Sequence, residues 1–283
     1  MTTVELNGKR RVWLSAQLEH AAGLLGAIIT ASPVFGWHDR TIGTRVSTVD
    51  GERWLRVVAE MSHWAGGALW TGNLDARAIS GVPKPRLLTN LDWSDGDCQL
   101  RAELMTVAPS PVIANDMVLR DTPDLTPTWW AALRRAVDAL AAHSTERVCV
   151  AGSGLRLRLL AAFGVDIDAV ELEWTCAHGD LHWANLTAPR LTLLDWEAWG
   201  MAPAGYDAAV LYCASILRRD VLHDVRETFA DLLESPSGRV AQLAAILKLL
   251  CLVEDGEHLD IAAPLHRHAR TLLATHGAGR PGA

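Results

Sequence analysis

The alternation of apolar and polar positions changes period twice along this chain, and the changes divide it. From Lys9 to Thr30 apolar residues, Val12, Leu18 and Leu25 among them, recur at helical spacing, which predicts an amphipathic helix ending before Pro33. Thr41 to Thr48 and Arg53 to Ala59 are instead rich in β-branched and aromatic residues, and Asp50-Gly51 between them is a strong turn signal, so a β-hairpin is expected. After a Trp- and Gly-rich stretch from Ser62 to Gly81, a strand is expected over Val82 to Leu88. A second follows over Gln99 to Val107, past the acidic turn Asp95-Gly96-Asp97. Pro109 and Pro111 then break the chain. Beyond Thr128 the spacing returns to threes and fours in Trp129 to His143, Tyr206 to Leu217, Val240 to Leu252 and Leu265 to Leu273, while the short apolar run Leu191 to Leu194 suits a strand. The expected architecture is α+β and two-lobed. Residues 1–108 form a small antiparallel β-rich lobe with a leading helix, and residues 109–283 a larger, mainly helical lobe.

Composition narrows the class. With 283 residues, 49% hydrophobic and 21% charged, the chain has the make-up of a folded soluble protein with a sizeable core. A net charge of -7 argues against a nucleic-acid binder, whose affinity rests on clustered positive charge. The five cysteines are odd in number, far apart and without a C-x-x-C pair, which suits reduced thiols in a cytoplasm. Ala21 to Trp37 carries no charge, but it is shorter than the roughly 20 residues of a spanning helix and is interrupted by Gly23, Gly26, Pro33 and Gly36. No membrane segment is expected there. Glu19 and His20 separate the basic Lys9-Arg10-Arg11 from this run, against a secretory signal, so a cytoplasmic location is the default.

The chemistry is concentrated in His178-Gly179-Asp180-Leu181-His182-Trp183-Ala184-Asn185, followed by Leu194-Asp195-Trp196-Glu197. A phosphoryl-transfer site needs a carboxylate to orient and deprotonate an acceptor hydroxyl, and an amide oxygen with a second carboxylate to hold magnesium. Asp180, Asn185 and Asp195 supply these in that order. Each residue alone would as readily be a cap or turn residue. The spacing of the three is what a cap does not explain. A rival reading puts His178, Asp180 and His182 on one face of an extended segment as zinc ligands, but it leaves Asn185 and the Asp-Trp-Glu sequence without a role.

The order H-x-D-x-x-x-x-N followed by Asp-Trp-Glu resembles protein-kinase-like enzymes, with Asp-Trp-Glu in the place of Asp-Phe-Gly. In its HGDLHxxN form it is similar to the aminoglycoside phosphotransferase and choline kinase branch. The resemblance implies a two-lobed kinase-like fold and transfer of the γ-phosphate of ATP to a hydroxyl of a small molecule, with Asp180 as the catalytic carboxylate and Asn185 and Asp195 as Mg2+ ligands. It implies that His178 and His182 brace the loop, that Asp207 pins it, and that Glu103, Leu104 and Met105 offer hinge backbone groups to adenine. Gly36 and Gly43 flank the place of a nucleotide-covering loop. Where the family carries a strand lysine for the nucleotide phosphates, this chain offers Arg56, a fork rather than a point charge. The helix glutamate expected to pair with it is missing, since Asp75 is the only acid between Ser62 and Ser80. That departure keeps a second reading open, a nucleotide-binding sensor with little turnover. The run Glu254-Asp255-Gly256-Glu257 would favour a cationic substrate, although short charge runs usually face water.

Overall fold

The computed structural model describes residues 3–168 and 171–277. They fall into two compact units. One holds the residues up to Arg77 together with Lys84–Pro109; the other holds Ala78–Pro83 together with the chain from Ser110 onward.

The first unit contains, in order, α1 (Thr3–Leu24), β1 (Ile28–Ile29), β2 (Val34–Phe35), β3 (Thr41–Thr48), β4 (Gly51–Met61), α2 (Ala68–Asp75), β5 (Leu87–Asp95) and β6 (Cys98–Thr106). The sheet is antiparallel, in the order β1-β3-β4-β6-β5 with β2 also on β3. Period-two alternation gives it two unlike faces. Ile42, Val46, Leu55, Val57, Leu100 and Leu104 point one way and pack on Leu14, Leu18, Ala21 and Ala22 of α1. Arg56 and Glu103, on the alternate positions of β4 and β6, belong to the opposite face.

Three expectations are corrected in this unit. The first helix ends at Leu24, because Gly26 adopts φ +60° and the β-branched Ile28 and Ile29 join the sheet edge. Val12 lies on the helix's outer side, 74% exposed. The strand expected from Val82 starts only at Leu87, since Pro83 and Pro85 have no N–H for a ladder.

The second unit contains α3 (Pro127–Ala141), α4 (Gly152–Phe163), β7 (Trp174–Ala177), β8 (Gly200–Pro203), α5 (Tyr206–Ala214), α6 (Arg219–Leu233), α7 (Pro236–Glu254) and α8 (Ala262–Gly277). Both α3 and α7 begin as their sequences dictate: Thr126 and Ser235 accept backbone N–H bonds from Trp129 and Gly238, with proline at the first helical position. Helix α7 is the centre of the unit, packed by α4, α5, α6 and α8, and every residue from Val240 to Leu247 is buried. It is the one helix among the described residues long and apolar enough to cross a membrane, and 67% of its apolar window is buried inside the protein. Leu191 to Leu194 does not form the expected strand. It makes one isolated bridge, Leu186 with Leu193, and Leu193 donates its N–H to the Pro83 carbonyl.

Candidate active site

Strands β7 and β8 pair antiparallel, Ala177 opposite Gly200, and the irregular segment between them carries His178, Asp180, His182, Asn185 and Asp195. Such a segment has no ladder to hold it, so its backbone groups need other partners. Asp207, buried near the start of α5, accepts the N–H groups of both His178 (2.7 Å) and Gly179 (2.9 Å). Burial, opposed by these two bonds, pushes the Asp207 carboxyl up to about 6. Gly179 has φ +81°, and a Cβ there would stand 2.5 Å from Cys149 Sγ and 2.6 Å from the Ala198 carbonyl oxygen. Only glycine fits. At the far end Trp129 Nε1 donates to the Thr187 carbonyl, and the fully buried Trp183 stacks on Trp129 and donates to Ser215.

His178 is buried completely and its Nε2–H donates to the Leu194 carbonyl at 2.9 Å, which ties the two halves of the motif together. A carbonyl can only accept, so the tautomer is fixed and Nδ1 is a lone pair with no partner among the described residues. Burial lowers the imidazole pKa to about 4, so the ring is neutral at ordinary pH.

Asp180 is held from three sides. Lys248 of α7 donates to Oδ1 at 2.6 Å and to the Gly179 carbonyl at 2.9 Å. His182 Nε2 lies 3.2 Å from Oδ2. That nitrogen also lies 3.2 Å from the Asn185 amide nitrogen, and the carboxylate decides the tautomer: Nε2 carries the proton and donates to Asp180. Burial raises the carboxyl's pKa, but Lys248 and His182 overcome it and hold Asp180 well below the usual carboxylate range. It is a fixed anion, better suited to orienting a hydroxyl than to storing its proton.

Asn185 donates from its amide nitrogen to the Asp180 carbonyl at 2.9 Å. This bond turns the amide nitrogen inward, and among the described residues nothing donates to its oxygen. Leu194, immediately before Asp195, donates its N–H to the Asn185 carbonyl, so the two candidate metal ligands stand on paired backbone. Asp195 is exposed and has φ +59°, a conformation that is strained for any residue with a Cβ. A bare amide oxygen and an exposed carboxylate are hard donors of the kind magnesium takes, and they fit such an ion.

In the first unit Arg56 has a partner, though not the one expected. Register places it opposite Glu103, whose Oε2 accepts from Arg56 Nη1 at 2.9 Å and from Asn73 Nδ2 of α2 at 2.8 Å. The side chains are 12% and 2% exposed. Asp75 bonds the Thr71 hydroxyl within its own helix. A sheet glutamate thus stands in for the missing helix glutamate, and α2 contributes an asparagine. The same register corrects the hinge assignment. Glu103, Leu104 and Met105 lie inside β6, paired to β4 on one side and β5 on the other, so their backbone groups serve the ladders. Gly43 is also structural, since a Cβ there would meet the Trp54 ring at 2.7 Å.

Neither Lys248 nor the Glu103 side chain was picked out from the sequence. Both leave a trace there. Lys248 is the only charged side chain between Arg239 and Glu254 in a mostly apolar helix, and Glu103 is a lone acid in a mostly buried strand.

No protein-family model matches the chain, and no curated protein sequence does. Among solved structures, the amicoumacin kinase hAmiN in complex with AMP-PNP, Ca2+ and Ami is similar at a TM-score of 0.58, with 11% identity over 91% of this chain and 92% of that one. This chain has the fold of that kinase. Spectinomycin phosphotransferase APH(9)-Ia, solved with ADP and its antibiotic, is similar at a TM-score of 0.49 and 11% identity, over 89% of this chain and 93% of that one. Within the kinase-like fold, the first unit is the β-rich lobe and the second the helical lobe that carries the motif.

Proposed function

We propose that this protein is a small-molecule kinase that transfers the γ-phosphate of ATP to a hydroxyl group. The observation that carries the reading is the state of Asp180: an ionised carboxylate on a pinned loop, held by Lys248 and His182, next to an asparagine whose oxygen is bare. Asp180 orients the acceptor hydroxyl. Asn185 and Asp195 hold Mg2+, which when bound neutralises charge on the phosphates. Arg56, directed by Glu103, is assigned to the nucleotide phosphates, and His178, His182 and Asp207 keep the loop in shape. Positioning and charge neutralisation carry most of the rate, because the phosphoryl transition state asks little covalent help from the protein.

The test is ATP consumption over a panel of hydroxylated metabolites and antibiotics, in wild type and in Asp180→Ala. Turnover that falls by about 10²–10⁴-fold in the variant is expected for a lost orienting carboxylate. Magnesium-dependent ATP binding with no Asp180-dependent turnover on any acceptor would leave the sensor reading in its place.

A further inference from the structure

The lysine beside Asp180 bears on what the enzyme phosphorylates, an inference that rests on the kinase reading above. An ammonium has three donors. Lys248 gives one to Asp180 Oδ1 and one to the Gly179 carbonyl, and among the described residues none accepts the third. Its side chain is 28% exposed and that of Asp180 25%, so the contact between them is open to solvent in part. One turn further along α7, Cys251 Sγ lies 3.8 Å from Arg158 Nη2 of α4, which brings a second cation to this stretch of the helix. Glu254 and Asp255 are exposed and lie six and seven residues on, about 9 Å or more along the axis at 1.5 Å per residue. At physiological salt that is already a screening length away. The fixed charge nearest the orienting carboxylate is therefore positive.

An acceptor hydroxyl bonded to Asp180 sits about 3 Å from a carboxylate oxygen. Groups on the neighbouring carbons then come within about 5–6 Å of the ammonium, whose charge offsets that of Asp180. A cation placed there gains little from the carboxylate, while an oxygen there can take the third ammonium proton. We propose that Lys248 is a specificity-determining residue that selects an uncharged or anionic, oxygen-rich acceptor such as a polyol or a sugar acid, and excludes a polycationic one. The third ammonium proton bonds an oxygen of that acceptor. Exclusion by like charge is a common route to specificity, because it acts against the wrong partner without tightening the right one.

The test is a calorimetric titration, with AMP-PNP and Mg2+ present, of three matched ligands: a neutral cyclitol, a sugar acid of similar size and a diaminocyclitol. Wild type, Lys248→Arg and Lys248→Met are compared, each checked by its melting curve. Wild type is expected to bind the neutral or anionic ligand at least about tenfold tighter than the diaminocyclitol. Lys248→Arg keeps that order, and Lys248→Met removes most of the gap. Equal or tighter binding of the diaminocyclitol by wild type overturns the proposal. So does a gap unchanged in Lys248→Met, or no binding of any of the three. Transfer from ATP to the bound ligands is followed separately. If none is phosphorylated while the charge order holds, the specificity of the site stands, and the kinase reading is decided by the acceptor panel above.

Discussion

Two charged networks, one in each unit, are built in opposite ways. Arg56 and Glu103 face each other because β4 and β6 pair in a fixed register; once the ladder forms, the contact is unavoidable. Asp180, His182 and Asn185 have no ladder. Their segment keeps its shape through side chains that reach its backbone: Asp207 to two N–H groups, His178 to the Leu194 carbonyl, Trp129 to the Thr187 carbonyl. The sheet network is held by regular structure and serves it in return. The loop network is held by a few side-chain bonds, and it carries local strain at Asp195.

The comparison can be broken most directly at Asp195. Glycine tolerates the left-handed conformation without penalty, so Asp195→Gly should hold or raise stability by about 1 kcal/mol. Loss of the metal carboxylate should at the same time lower turnover by about 10³-fold. Melting and phosphoryl transfer on the same preparation decide it; a clear drop in stability would mean that Asp195 serves the fold.

The sheet network should respond in the reverse sense. Glu103→Ala leaves Arg56 buried without its carboxylate and should cost about 3 kcal/mol in urea unfolding. Exchanging both, Arg56→Met with Glu103→Leu, should recover most of that loss while ATP binding, followed by calorimetry, stays weakened. If the double variant binds ATP as wild type does, Arg56 belongs to the sheet alone.

These contrasts also explain what the sequence disclosed. The loop motif was legible because its parts are contiguous, His178 to Asn185 within one short segment and Asp195 soon after. Hairpin β3–β4 and helices α3 and α7 were legible from period, and the end of α1 was not, because Gly26 overrides an apolar pattern that runs on to Thr30. Arg56 and Glu103 lie 47 positions apart, and Lys248 lies 68 from Asp180. Neither spacing leaves a local signal. Glu103 was misplaced at a hinge because period alone does not reveal that β6 is paired on both sides.

The smallest expected effect is on pH dependence. Burial holds His178 and His268 near a pKa of about 4, below the 6.5 of a free imidazole. The unfolded chain therefore takes up protons first, and stability present above about 6.5 is lost as pH falls towards 4. Asp207, raised to about 6, acts in the opposite direction, favouring the fold as pH falls through that value. His268→Leu isolates one contribution away from the loop. Its loss of stability between pH 7 and 4.5, measured by denaturant titration, should be smaller than that of wild type by about 1–2 kcal/mol.

Lys248 has one more consequence, which belongs to the chain before it folds. Helix α7 has the length and hydropathy of a membrane segment, and it is only covered once α4, α5 and α8 have packed on it. A lysine well inside such a segment costs about 3 kcal/mol on insertion scales. It also acts as a gatekeeper against self-association of the exposed apolar run. The same ammonium thus disfavours burial of the unfolded segment in lipid and, in the fold, steadies Asp180.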